Sequence, residues 1–212
     1  MSRIGIIGGT GYAGGAIARE ALSRGHEVII VARHEPTELP DGAEFRAGSI
    51  HDAAVVDSLA ADVETLVVAL PHREIDGKKL ADALPSLLNA SRASSARLGF
   101  VGGAGSSLVA PGGPRVVDGD FPDAWKPEAL AAAALLEDLR ASEGASWFVL
   151  SPAAGFGSFA PGERTGQYRK GGDVLVAAED GTSYISGADY AIAFVDEIES
   201  KSLANARTTV GY

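Results

Sequence analysis

No cysteine occurs among the 212 residues. That absence excludes disulfides, a thiolate nucleophile and any cysteine-held metal or iron–sulfur cluster. Long apolar runs are missing too: no stretch approaches the roughly 20 apolar residues that a membrane-spanning helix needs. Ile4-Gly5-Ile6-Ile7 follows Met1-Ser2-Arg3 at once and is too brief for a secretory leader. The expected location is therefore cytoplasmic, with no membrane partner. Positive charge is scarce: 18 Lys and Arg stand against 28 Asp and Glu, a formal net charge of -10. No basic stripe is present, so nucleic acid is not an expected partner. His26, His34, His51 and His72 form no local ligand spacing, and no metal site is expected. A Gly-x-Ser-x-Gly elbow and a Gly-x-x-x-x-Gly-Lys-Ser/Thr loop are both absent, which sets aside serine-hydrolase chemistry and ATP hydrolysis.

What is present is an alternation of short β-branched runs and helical stretches. Ile4–Ile7, Val28–Val31, Ala43–Ala47, Thr65–Leu70, Leu98–Val101 and Ser146–Leu150 read as strands. Tyr12–Arg24, Asp52–Ala61, Ile75–Ser91, Ala124–Ser142 and Gly187–Glu199 read as helices, the fourth entered at Pro127. Strands without clean polar alternation, separated by helices, predict a parallel sheet covered on both faces. The expected fold is a doubly wound α/β sheet, in one domain over residues 1–212, with a small substrate-loop region near the C-terminus. Residues 153–173 are rich in Gly, Ser and Pro and read as an ordered loop or lid. Val174–Ala177 and Ser183–Ser186 are short strand candidates, and Thr208–Tyr212 a last edge strand.

Gly8-Gly9-Thr10-Gly11-Tyr12-Ala13-Gly14 carries the clearest chemistry. It follows a strand and opens a helix, the context in which a Gly-x-x-Gly-x-x-Gly turn holds a dinucleotide. Gly8 serves the tight exit from the strand, Gly11 close approach of a pyrophosphate, and Gly14 packing of helix on sheet. Backbone N–H groups at the helix start then face the anion. Gly8, Thr10, Gly11, Tyr12 and Ala13 are the candidate cofactor contacts here. Arg33 ends the second strand, where NAD sites usually place an acidic residue and NADP sites an arginine. It favours NADP over NAD, because a guanidinium pairs well with a 2′-phosphate. Ligands of open α/β sheets lie beyond the carboxyl ends of the strands. That rule adds Ser49 and Ile50 beside the adenine, Leu70 and Pro71 near the adenosine or ribose, Gly102 and Gly103 near the nicotinamide ribose, and Ser151, Pro152 and Ala153 at the sixth strand. Ser186 reads as an N-cap with Asp189 as its capping partner.

These features resemble the atypical short-chain dehydrogenase/reductase superfamily. Within it the chain is most similar to small bacterial proteins named as NADH-flavin reductases, which are related to NmrA-like and NAD(P)H-binding families and distantly to biliverdin reductase B. The resemblance rests on Ile4–Gly11, Arg24–Val28, Arg33 and Val101–Ser106. It is strongest in Ser151–Ala154, Pro161–Tyr168 and Ile185–Ala193. It implies a Rossmann fold and hydride transfer from NADPH, or alternatively NADH, to a flavin or quinone. Phe156, Phe159, Arg164 and Tyr168 become acceptor-binding candidates. Ser106 and Lys126 are the candidate catalytic residues.

One departure stands out. Classical members of the superfamily use Tyr-x-x-x-Lys, but Pro122 stands four before Lys126. Trp125 beside it cannot act as a proton acid at neutral pH. Flavin reduction needs little from a protein beyond stacking and orientation, so the missing tyrosine does not exclude it. The same absence suits an alternative of another class, a non-catalytic NAD(P)-binding redox sensor or regulator of NmrA-like type. An isomerase or epimerase of the extended type is a third reading, for which the chain looks too short. A homodimer is compatible with the fold class.

Overall fold

The computed structural model describes residues 1–212. Its strands are β1 (Arg3–Ile7), β2 (Glu27–Ala32), β3 (Glu44–Ala47), β4 (Thr65–Val68), β5 (Arg97–Val101), β6 (Trp147–Pro152), β7 (Arg169–Lys170) and β8 (Ala206–Gly211). Its α-helices are α1 (Tyr12–Ser23), α2 (Ala53–Asp62), α3 (Leu80–Ser94), α4 (Lys126–Arg140) and α5 (Gly187–Ser200). The sheet order is β3-β2-β1-β4-β5-β6-β8-β7. Seven strands run parallel, and only β7 is antiparallel, to β8. Chain order reverses between β1 and β4, which opens a crevice at their carboxyl ends.

Apolar strands need cover on both faces. On one face α2, α3 and α4 pack through Leu59, Leu87 and Leu139, in one cluster with Trp147 of β6. On the other, α1 and α5 pack through Ile17, Tyr190, Phe194 and Ile198. The pairing of α1 with α5 explains Arg24-Gly25-His26. Arg24 closes α1 and reaches Glu20 at 2.8 Å, Asp196 at 2.6 Å and Glu199 at 2.8 Å, while His26 meets Glu199 at 2.9 Å.

Four expected elements differ. The helix expected from Ile75 begins only at Leu80. Ile75-Asp76-Gly77-Lys78 instead closes as a hairpin, with its N–H groups exchanged at 2.9 and 3.1 Å. Asp76 and Gly77 both have positive φ, 52° and 75°, the geometry that favours Asp-Gly in a two-residue turn. Helical spacing continues back through this stretch, so periodicity alone overran the turn. Val174–Ala177 and Ser183–Ser186 are not strands; they make only the isolated bridges Leu108–Val174 and Gly155–Tyr184. The C-terminal strand is not at the edge either. It starts at Ala206 and lies between β6 and the short β7, a long-range pairing with no local signal.

Candidate functional site

The turn between β1 and α1 fixes the site. Gly8 has φ 86°, and a Cβ there would meet the Ala69 carbonyl oxygen at 2.5 Å. A Cβ on Gly14 would meet the Gly8 carbonyl oxygen at 2.3 Å, so α1 sits too close to the turn for any other residue. Gly11 is less crowded: an added Cβ there would make only an ordinary contact, with the Gly8 carbonyl oxygen at 3.4 Å. Gly11 is the N-cap of α1, no side chain caps the helix, and its first turn has no acidic residue. An uncapped helix start with no acidic residue in its first turn suits an anion.

Next to this turn lies a cavity of about 340 Å³. It is lined from four strand ends: Gly8 and Thr10 after β1, Arg33 after β2, Ser49 and Ile50 after β3, and Leu70 after β4. Six of the residues expected from sequence therefore come together around one space. The cavity also takes in residues the sequence reading missed. His51 lies after β3, and Ile75, Asp76 and Lys78 come from the hairpin that folds over the opening. The Asp76-Gly77 pair was the available signal for that hairpin. Burial, with the nearby Lys78 ammonium, holds the His51 imidazole below its ordinary pKa. Arg33 and Asp76 form an exposed ion pair across the mouth.

Other expected residues fall elsewhere. Gly102, Gly103, Ser106 and Ser151 line a second cavity of about 10 Å³ with His72, between the sheet and α4. Ser106 donates to the Gly103 carbonyl at 3.1 Å. The Ser151 hydroxyl is buried without a hydrogen-bond partner. His72 meets the Val101 carbonyl through Nε2 at 3.1 Å, and burial lowers its pKa. Pro71 is exposed at the end of β4. Pro152 is inside β6, paired with Val210, and Ala153 is buried beside Gly211. Lys126 opens α4 half-buried, with no hydrogen bond linking it to Ser106.

The late loop divides in two. Tyr12 accepts the Gly187 N–H at 2.9 Å and donates to the Pro161 carbonyl at 3.2 Å, tying the β1–α1 turn to α5 and the loop. Phe156 packs between Tyr12 and Tyr190, with ring centroids 5.4 and 4.6 Å away. Phe159 is 69% exposed and stacks on Trp125, itself 59% exposed, at 6.1 Å and 19°. Arg164 and Tyr168 lie apart from the β1–α1 cavity; Arg164 lines a separate cavity of about 510 Å³ with Tyr12, Glu20 and Pro161. Arg164 pairs with Glu20 of α1. Tyr168 donates to Asp196 of α5 at 2.6 Å; burial and that carboxylate push its phenol well above the ordinary range. Ser186 caps α5, its hydroxyl accepting the Asp189 N–H at 3.1 Å. The Asp189 carboxylate is not its reciprocal partner. It accepts from the N–H groups of Thr165 and Gly166, from the Thr165 hydroxyl and from Tyr212.

Comparison with known proteins agrees with this geometry. A family model described as NAD(P)H-binding matches residues 8–200. The uncharacterized protein YwnB of Bacillus subtilis is 38% identical over 98% of this chain and 97% of its own. An exported-protein candidate from Burkholderia pseudomallei has a solved structure with TM-score 0.88 and 36% identity, covering 100% of both chains. A candidate NADH-flavin reductase from Streptococcus pneumoniae superposes with TM-score 0.83 at 30% identity, over 100% of this chain and 99% of that one. In this protein, no helix is long and apolar enough to cross a membrane.

Proposed function

The chain belongs to the NAD(P)H-binding family, and from that premise we propose that it is an oxidoreductase that takes a hydride from NADPH and passes it to a flavin or quinone. The observation that carries the cofactor reading is the convergence of Gly8, Thr10, Arg33, Ser49, Ile50 and Leu70 on one cavity at the β1–α1 turn. Ile50 and Leu70 would enclose the adenine, Arg33 would take the 2′-phosphate, and the N–H groups around Gly11, Tyr12 and Ala13 would hold the pyrophosphate. The bound nicotinamide supplies the hydride. Under this reading the remaining contributions of the chain are orientation and exclusion of water, which suffice for flavin chemistry.

Two observations support a planar acceptor. The Trp125–Phe159 pair offers an exposed aromatic ledge at the start of α4, and flat rings stack on such ledges. The name of the Streptococcus pneumoniae relative points the same way. Ser106 and Lys126 would stand on the acceptor side as hydrogen-bond donors.

The test is NADPH oxidation with FMN, FAD or a small quinone, run beside NADH. Turnover with NADPH and one of these acceptors is the expected result. Tight binding without turnover with any of them would favour the second reading, a non-catalytic redox sensor. That reading draws on the lack of a hydrogen-bonded Tyr-Lys acid near Ser106.

A further inference from the structure

The cavity at the β1–α1 turn contains a carboxylate where a phosphate-binding site would be expected to hold only cations. Arg33 projects from the end of β2, and its guanidinium is paired with Asp76. Asp76 comes from a different element, the hairpin between β4 and α3. Lys78 stands two residues further along the same hairpin and lines the same cavity. Its ammonium has no hydrogen-bond or ion-pair partner in the structure, and its charge is close enough to depress the His51 imidazole. The mouth of the cavity therefore holds two cations and one anion. The anion is mounted on a two-residue turn whose backbone is set by Asp76 and Gly77, both at positive φ.

We propose that Asp76 is a specificity-determining residue that sets the choice between the phosphorylated and unphosphorylated dinucleotide by competing for Arg33. This rests on the dinucleotide reading of the cavity. A 2′-phosphate carries more charge than a carboxylate and has three acceptor oxygens, so it displaces Asp76 and takes Arg33 with Lys78. A free ribose diol has donors to offer instead. It leaves the Arg33–Asp76 pair in place and donates to the Asp76 carboxylate, the role an acidic residue at the end of the second strand fills in NAD sites. The carboxylate thus reaches the ribose from the hairpin after β4, in place of the missing acid after β2. One residue disfavours NADPH and favours NADH, and its removal separates the two.

The test uses Asp76→Asn, because Asn keeps the size of the side chain and is equally at home at positive φ in this turn. NADPH and NADH dissociation constants are measured by calorimetric titration for the wild type, Asp76→Asn and Lys78→Gln. Asp76→Asn is expected to tighten NADPH by roughly two- to fivefold, the scale of an exposed ion pair removed as competitor. It is expected to weaken NADH several-fold, so that the NADPH-to-NADH preference rises by about an order of magnitude. Lys78→Gln is expected to weaken NADPH and leave NADH unchanged. If Asp76→Asn leaves the ratio of the two constants as it was, Asp76 does not select the cofactor and the proposal falls while the dinucleotide site stands. If the wild type binds neither dinucleotide, the reading of the cavity falls and the proposal with it.

Discussion

At the scale of single residues, two side chains carry consequences that differ in kind. Trp125 is a large aromatic left exposed against Phe159, and exposure of this sort usually serves binding more than folding. Trp125→Ala is expected to raise KM for a flavin or quinone several-fold while leaving the NADPH dissociation constant unchanged. Equal KM values for wild type and variant would remove the ledge from the acceptor site. Glu197 is the opposite case, a fully buried carboxylate. It accepts from Arg97 at 2.6 Å and from the Leu203 N–H at 2.9 Å, and Arg97 lies over the Phe148 ring at 4.2 Å. Removing one member of a buried pair strands the other, at a cost of about 3–5 kcal/mol. Glu197→Ala should therefore lower the urea midpoint sharply without moving the cofactor preference; an unchanged midpoint would show the pair to be dispensable.

At the scale of elements, the middle of the loop from Pro161 to Tyr168 is gathered by one carboxylate, while Glu20 and Asp196 hold Arg164 and Tyr168. Asp189, in the first turn of α5, gathers four hydrogen-bond donors from Thr165, Gly166 and Tyr212. Asn at 189 accepts through one oxygen only and loses the charge that strengthens these bonds. Asp189→Asn is expected to speed proteolytic cutting within 161–168 several-fold, with the rest of the chain protected. Unchanged cutting would show that the anchors through Pro161, Arg164 and Tyr168 suffice to hold the loop.

This clasp also marks where the sequence was readable. β1, α1 and β2 were legible because the glycine turn, the apolar runs and Gly25 agree locally. Ser186 was legible as a cap because capping is a contact over three residues. The partners of Asp189 lie 23 and 24 residues away, and no local pattern announces them. The hairpin at Asp76-Gly77 was announced by its dipeptide, yet helical spacing through the same stretch pointed elsewhere. That substitution of turn for helix is what delivers Asp76 and Lys78 to the cavity. The partners of Arg164 and Tyr168 were hidden for a related reason. Sequence places them on the loop, but only the packing of α1 against α5 decides that Glu20 and Asp196 receive them.

At the scale of the molecule, buried carboxylates make stability depend on acid. Burial alone would raise Glu20, Glu197 and Asp189. Hydrogen bonds from Arg164 and Arg24, from Arg97 and Ser202, and from Thr165 and Tyr212 outweigh it and hold each below its ordinary value of 4.5, 4.5 and 3.8. Lowered folded-state values mean the stabilisation is complete above the unfolded values and is lost as pH falls through the folded ones. The urea midpoint is expected to be flat between about pH 7 and pH 5 with respect to these groups and to fall below about pH 4.5. A midpoint that holds down to about pH 3 would contradict the assignment.

Four strand ends and a hairpin surround one cavity, which under the proposed function receives the adenosine end of a dinucleotide. The most direct measurement is calorimetric titration of NADPH and NADH into the wild type and Arg33→Glu. The wild type is expected to bind NADPH, charge reversal at Arg33 to cost about tenfold or more in NADPH affinity, and NADH affinity to hold within a few-fold. Absence of binding by the wild type, or NADPH affinity indifferent to Arg33→Glu, would contradict this reading of the cavity.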